Sequence, residues 1–134
     1  MRLTNFFKMS RLMPMLAYTD ASKAIDFLIS AFGFEETMRM DGEDGTIAHA
    51  ELSLNGAMVS LASVWRDGGL ATPHELGGVH SQLWVEVDDI DAHFQKARAA
   101  GAVVLDEPVT QDYGYKTYRA IDPEGHRWYF AGAV

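Results

Sequence analysis

Apolar residues recur along this chain in two rhythms. Over residues 21–32 they fall at helical spacing, with Ala24, Ile25, Phe27, Leu28, Ala31 and Phe32 forming one stripe. Thr19-Asp20 supplies an N-cap and Gly33 a C-terminal stop, so the helix is bounded at both ends. Shorter apolar or alternating runs on either side predict strands over 12–18, 34–40, 46–54 and 57–63, with Asn55-Gly56 giving a two-residue hairpin signal between the last two. Residues 65–78 then turn to Gly, Pro, Thr and charge, the composition of a linker. Beyond them the pattern restarts. It predicts a strand over 81–87, a helix capped by Asp89 and stopped by Gly101, a strand over 103–105, a loop over 107–115 with Pro108 and Gly114, a strand over 116–121, and a last arm from Tyr129.

The restart has a fixed step. Asp20 to Gly56 and Asp89 to Gly125 have equal length, and the offset between the halves is 69 throughout. Each half reads strand, helix and three strands, which predicts an α+β fold. Two tandem βαβββ modules would form one curved mixed sheet, with helices on its convex side and a cavity on its concave side. The division expected is a flexible N-terminal extension (1–11), a first module (12–64), a linker (65–78) and a second module (79–134), packed as one compact domain. The second module closes through Asp122-Pro123-Glu124-Gly125, a turn in which Pro fixes φ and Gly reverses the chain. In the strand that follows, Trp128 and Phe130 share one face while Arg127 and Tyr129 share the other.

Composition narrows the field. A chain of 134 residues without cysteine suits one domain and excludes disulfides, thiolate metal sites and a Cys nucleophile. A net charge of −8 with no Lys/Arg cluster argues against a nucleic-acid partner and is compatible with a cationic ligand. No apolar run reaches the ~20 residues of a spanning helix, so no membrane partner is expected. The start, with Arg2, Lys8 and Arg11 around Phe6-Phe7, lacks the h-region and cleavage site of a signal peptide. A cytoplasmic protein is expected, with translation starting at Met1 or Met9.

The tandem pattern, the helix openings Thr19-Asp20-Ala21 and Asp88-Asp89-Ile90, and the ending Asp122-Pro123-Glu124-Gly125-His126-Arg127-Trp128 resemble the vicinal oxygen chelate superfamily over about residues 12–132. That superfamily holds glyoxalase I, extradiol dioxygenases, fosfomycin-resistance transferases and bleomycin-resistance proteins. The chain looks most like its non-metal glyoxalase/bleomycin-resistance members, and the resemblance implies antibiotic-resistance-type binding by a homodimer. In metal-using members the ligands stand seven residues before each capping Asp and seven after the Asp of the Asp-Pro turn. Here those positions hold Met13, Gln82 and Tyr129, with Ser60 the repeat equivalent of Tyr129. A divalent cation wants imidazole and carboxylate, so no metal and no other cofactor is expected. An atypical set of His49, Glu51 and Gln82 is the one alternative.

Strand alternation points Gln82, Trp84 and Glu86 to the concave side, together with Met15, Ala17, His49, Glu51, Met58, Ser60, Tyr118 and Tyr129. A lining of Met and aromatic side chains with few polar groups suits a flat or amphipathic organic ligand. His126 reads as a structural donor in its turn, Trp128 as core, His74, His80 and His93 as exposed, and Tyr113 and Tyr115 as a cover. Two readings follow. One is a metal-independent protein sequestering an aromatic or cationic small molecule. The other is an enzyme of the same superfamily: a metal-dependent lyase, isomerase or dioxygenase on an atypical site, or a metal-free acid/base catalyst using His49 and Glu51.

Overall fold

A computed structural model describes residues 9–134; residues 1–8, most of the predicted extension, lie outside the described residues. The first module runs β1 (Met15–Tyr18), α1 (Ala21–Phe32), β2 (Glu35–Asp41), β3 (Ile47–Leu54) and β4 (Ala57–Ser63). The second runs β5 (Leu83–Glu86), α2 (Ile90–Ala99), β6 (Val103–Thr110), β7 (Tyr115–Ile121) and β8 (Arg127–Ala133). Both helices start on an aspartate that accepts a backbone N–H, Asp20 from Lys23 and Asp89 from Ala92. The apolar stripe of α1 is buried at Ala24, Ile25, Leu28, Ala31 and Phe32, and the matching stripe of α2 at Ile90, Phe94 and Ala97. Segment 65–78 carries a 3₁₀ turn (Arg66–Gly68) and one helical turn (Pro73–Leu76), the latter held by a Thr72/Glu75 capping box.

The single curved sheet predicted from the repeat resolves into two four-stranded mixed sheets, ordered β1-β4-β3-β2 and β5-β8-β7-β6. In each, the strand before the helix pairs in parallel with the module's last strand. The loop predicted over 107–115 is a correction of another kind. Strand β6 continues to Thr110 through Pro108, because β6 is the edge of its sheet and an edge residue needs no N–H for a ladder. The pairing with β7 slips between Asp106 and Val109, around the proline.

The modules meet through aromatic packing and a set of polar contacts. Phe32 packs on Trp128 and Phe130, and Phe34 on Trp128, with ring centroids 4.7–5.7 Å apart. Each such buried ring contributes about 1.5–3 kcal/mol by leaving water. Trp128 therefore fills core, as its strand face predicts. The end of β1 rests on the Asp-Pro turn. Tyr18 donates its hydroxyl to Asp122 Oδ2 at 2.6 Å, the Glu124 carboxylate accepts the backbone N–H groups of Thr19 and Asp20, and His126 Nε2–H donates to the Ala17 carbonyl at 2.8 Å. The turn so occupies the open N-terminus of α1, where a carboxylate is favoured.

Two side chains lie elsewhere than the sequence suggests. His93 is half-buried between the modules: its Nε2–H donates to the Phe32 carbonyl at 2.8 Å, and its Nδ1 lies 2.6 Å from the Tyr118 hydroxyl. Tyr118 is fully buried, packed on Phe94 and Phe130, and so belongs to the helix-side core rather than the open face expected for it. The physical reason is a register change. In the first module Leu52 pairs with Val59; a strict 69-residue offset would pair Ile121 with Trp128, but Ile121 pairs with Arg127. The longer Asp-Pro turn moves β7 by one residue, and one residue turns every side chain to the opposite face.

Candidate functional site

The open face of each sheet carries the side chains that do not enter the core. On the first sheet Met15, Ser60 and Glu51 lie side by side across β1, β4 and β3. Met15 is 71% exposed, while the buried Ser60 hydroxyl donates to the Pro14 carbonyl at 3.1 Å. His49 and Glu51, two apart on β3, bond to each other through Nε2 and Oε2 at 2.9 Å. The carboxylate fixes the tautomer that presents Nε2–H to it.

On the second sheet Trp84 pairs with Tyr129 and Tyr129 with Arg119. Their rings form a wall: Trp84 to Tyr129 at 5.2 Å, Trp84 to Tyr115 at 5.3 Å and Tyr113 to Tyr115 at 6.3 Å. A hydroxyl contact of 3.2 Å between Tyr113 and Tyr129 closes the circuit and raises the Tyr113 pKa above its usual value. Glu86 sits at the foot of the wall, bonded by Trp84 Nε1–H and the Tyr115 hydroxyl. Tyr115 stands on this face instead of Tyr118, and Arg119 shares it with Tyr129. Counting the register back from a closing pair Ile121–Arg127 would have found both.

The two faces are not equally joined. Met58 and Trp84 share an apolar cleft of about 300 Å³ with Leu12, Pro14, Phe34 and Trp128. Met15 instead lines a cleft of about 220 Å³ with Leu70, Leu76, His80 and His126. Gln82 is exposed just ahead of β5, and the His49/Glu51 pair borders neither cleft.

The family's metal positions can now be tested on their chemistry. Met13 offers a thioether, Ser60 a hydroxyl already committed to Pro14, Gln82 an amide and Tyr129 a phenol engaged with Tyr113. None is an imidazole or carboxylate, so the set does not fit a divalent cation. Among the described residues no three His, Asp or Glu side chains are placed to share a metal.

Residues 10–130 match the model of the Glyoxalase/Bleomycin resistance protein/Dioxygenase superfamily. The chain belongs to that superfamily. Within it, the chain is 39% identical over 120 residues to uncharacterized protein Mb0911c of Mycobacterium bovis, spanning 87% of this chain and 79% of the relative. The crystal structure of TioX from Micromonospora sp. ML1 superposes with a TM-score of 0.75 at 33% identity, over 94% of this chain and all of that one. TnmS3, an antibiotic binding protein from Streptomyces sp. CB03234, shares the superfamily fold with a TM-score of 0.69 at 23% identity, over 96% of this chain and 99% of that one. Among the described residues no helix is long and apolar enough to cross a membrane.

Proposed function

We propose that this member of the superfamily is a metal-independent binding protein that sequesters an aromatic or cationic organic molecule, working as a homodimer. The observation that carries the reading is the wall of Trp84, Tyr113, Tyr115 and Tyr129 on an open sheet face, with Trp84 45% and Tyr113 53% exposed. Large rings left in water beside a fully packed core mark a surface made to be covered. The wall stands where the metal-using relatives would place a carboxylate ligand, at Tyr129. The description of TnmS3 as antibiotic binding agrees with this reading, although its 23% identity speaks for the fold alone. A homodimer is supported by Met15, Trp65 and Leu76, each more than 60% exposed.

A panel of planar aromatic compounds titrated by Trp fluorescence tests the reading. A true ligand quenches the wild-type protein, and Trp84→Phe removes most of the quench. A ligand that binds while Trp84→Phe leaves its quench intact, or a panel that yields no binder, would count against it.

The enzyme reading has one specific support, the His49–Glu51 contact of 2.9 Å, which is the geometry of a proton-transferring pair. It requires that His49→Ala abolish turnover of a bound compound while leaving its affinity within about twofold. Unchanged turnover in that variant would remove it.

A further inference from the structure

The aromatic wall contains one carboxylate, Glu86, and among the described residues no cation pairs with it. Glu86 Oε2 accepts Trp84 Nε1–H at 3.1 Å and Oε1 accepts the Tyr115 hydroxyl at 3.3 Å; both donors are neutral. On β8, the strand paired with β5, the basic side chain is Arg127, four residues from the Ala131 that Glu86 faces. Arg11 borders the cleft shared by Trp84, and the basic side chains on β7, one strand further, are committed elsewhere. Lys116 Nζ lies 2.9 Å from Asp91 Oδ1, and Arg119 binds Asp106 through Nε at 2.9 Å and Nη2 at 2.8 Å. The two hydrogen bonds also orient the wall. They fix the edge of the Trp84 indole and the tip of Tyr115 on the charge, and the Trp84 ring stays 45% exposed beside it, with negative π-electron density on its faces.

These two features select between the ligand classes left open above. A neutral arene would stack on Trp84 but would strip water from Glu86 without replacing it, and an uncompensated carboxylate is costly to desolvate. An anion would meet the carboxylate and the ring faces with the wrong sign. A flat cation satisfies both at once, and the net charge of −8 draws it in from a distance. We infer that the ligand of this face is a planar organic cation, a quaternised or protonated heteroaromatic, whose ring lies against Trp84 and Tyr129 and whose charge is held by Glu86. The inference rests on the binding reading and names the chemistry of its ligand.

N-methylacridinium and acridine, compared at mildly alkaline pH where acridine is uncharged, share a ring system and differ in charge. They are titrated by Trp fluorescence and calorimetry against the wild-type protein, Glu86→Gln and Trp84→Phe. The wild type should favour the cation by about tenfold or more. Glu86→Gln removes the charge, while its amide oxygen can still accept Trp84 Nε1–H and its amide nitrogen can donate to the Tyr115 hydroxyl in a reversed bond. It should bring the two probes within about twofold by weakening the cation alone. Raising salt should narrow the wild-type gap in the same direction. Equal wild-type affinities, or a preference that survives Glu86→Gln, would overturn the assignment. If both probes bind equally and lose their quench in Trp84→Phe, the cation assignment falls while the binding reading stands. If neither binds, the assignment also falls, and the wider aromatic panel decides the binding reading separately.

Discussion

Asp122 is 1% exposed and accepts four hydrogen bonds, from the Tyr18 hydroxyl, Trp128 Nε1–H and the backbone N–H groups of Glu124 and His126. Burial and the adjacent Asp122 and Glu124 charges push the Tyr18 pKa well up, so its proton stays in place as the donor. Removing the carboxylate orphans Tyr18 and Trp128 together in the core. Asp122→Ala should therefore cost about 3–5 kcal/mol, read as a lowered urea midpoint, whereas Glu124→Ala, at the rim, should cost about 1 kcal/mol. Comparable losses would contradict this account of the junction. His93 sets a pH limit. Burial lowers its folded-state pKa from the usual 6.5, so below that value the unfolded chain binds a proton that the folded chain refuses. The neutral ring's contribution is thus whole above about pH 6.5 and lost as pH falls beneath it. His93→Gln should be less stable at neutral pH and show a flatter decline between pH 7 and 5 in thermal unfolding. A decline identical to wild type would place that dependence on other groups.

Elements were legible where local chemistry and tertiary position agree. Helix α1 occupies the residues its stripe and caps predict, and β4 follows directly on Asn55-Gly56, with Asn55 and Gly56 both at positive φ. Strand β6 was hidden by Pro108, since a proline reads as a break unless the strand is known to be an edge. The place of Tyr118 is not legible in the sequence for a related reason: the repeat suggests equal register in both modules, and register is set by the length of the turn, which only pairing reveals. The open-face positions Trp84, Glu86 and Tyr129 follow from alternation alone, but Tyr115 required the true register of β7. His93 reads as exposed in the sequence because its partner, the Phe32 carbonyl, comes from the other module. The Asp-Pro turn itself makes a sharp prediction. Gly125 has φ +98°, and a Cβ there would meet His74 Cδ2 at 2.6 Å and its backbone nitrogen at 3.1 Å. Gly114 has φ +92° with nothing within 4 Å. Gly125→Ala should then lose at least about 2 kcal/mol and Gly114→Ala about 1 kcal/mol, the cost of backbone strain alone. Equal effects in denaturant melts would mean that the His74 contact does not constrain the turn.

At the scale of the whole molecule, the modules are joined at their helices and at the Asp-Pro turn, and exposed side chains such as Met15 and Trp84 stand on the two open sheet faces. A homodimer would cover them, and sedimentation velocity at micromolar concentration should give twice the mass of the chain, 14.8 kDa. A monomer at all concentrations would instead assign the exposed Met15 and Leu76 to another partner. On the proposed reading this superfamily member binds its ligand without a metal, because the positions that would hold one carry Met13, Ser60, Gln82 and Tyr129. Elemental analysis of protein purified without chelator tests that most directly. On this reading zinc, nickel, manganese and iron should all be substoichiometric and unchanged between wild type and His49→Ala. One equivalent of any of them, lost on His49→Ala, would contradict it.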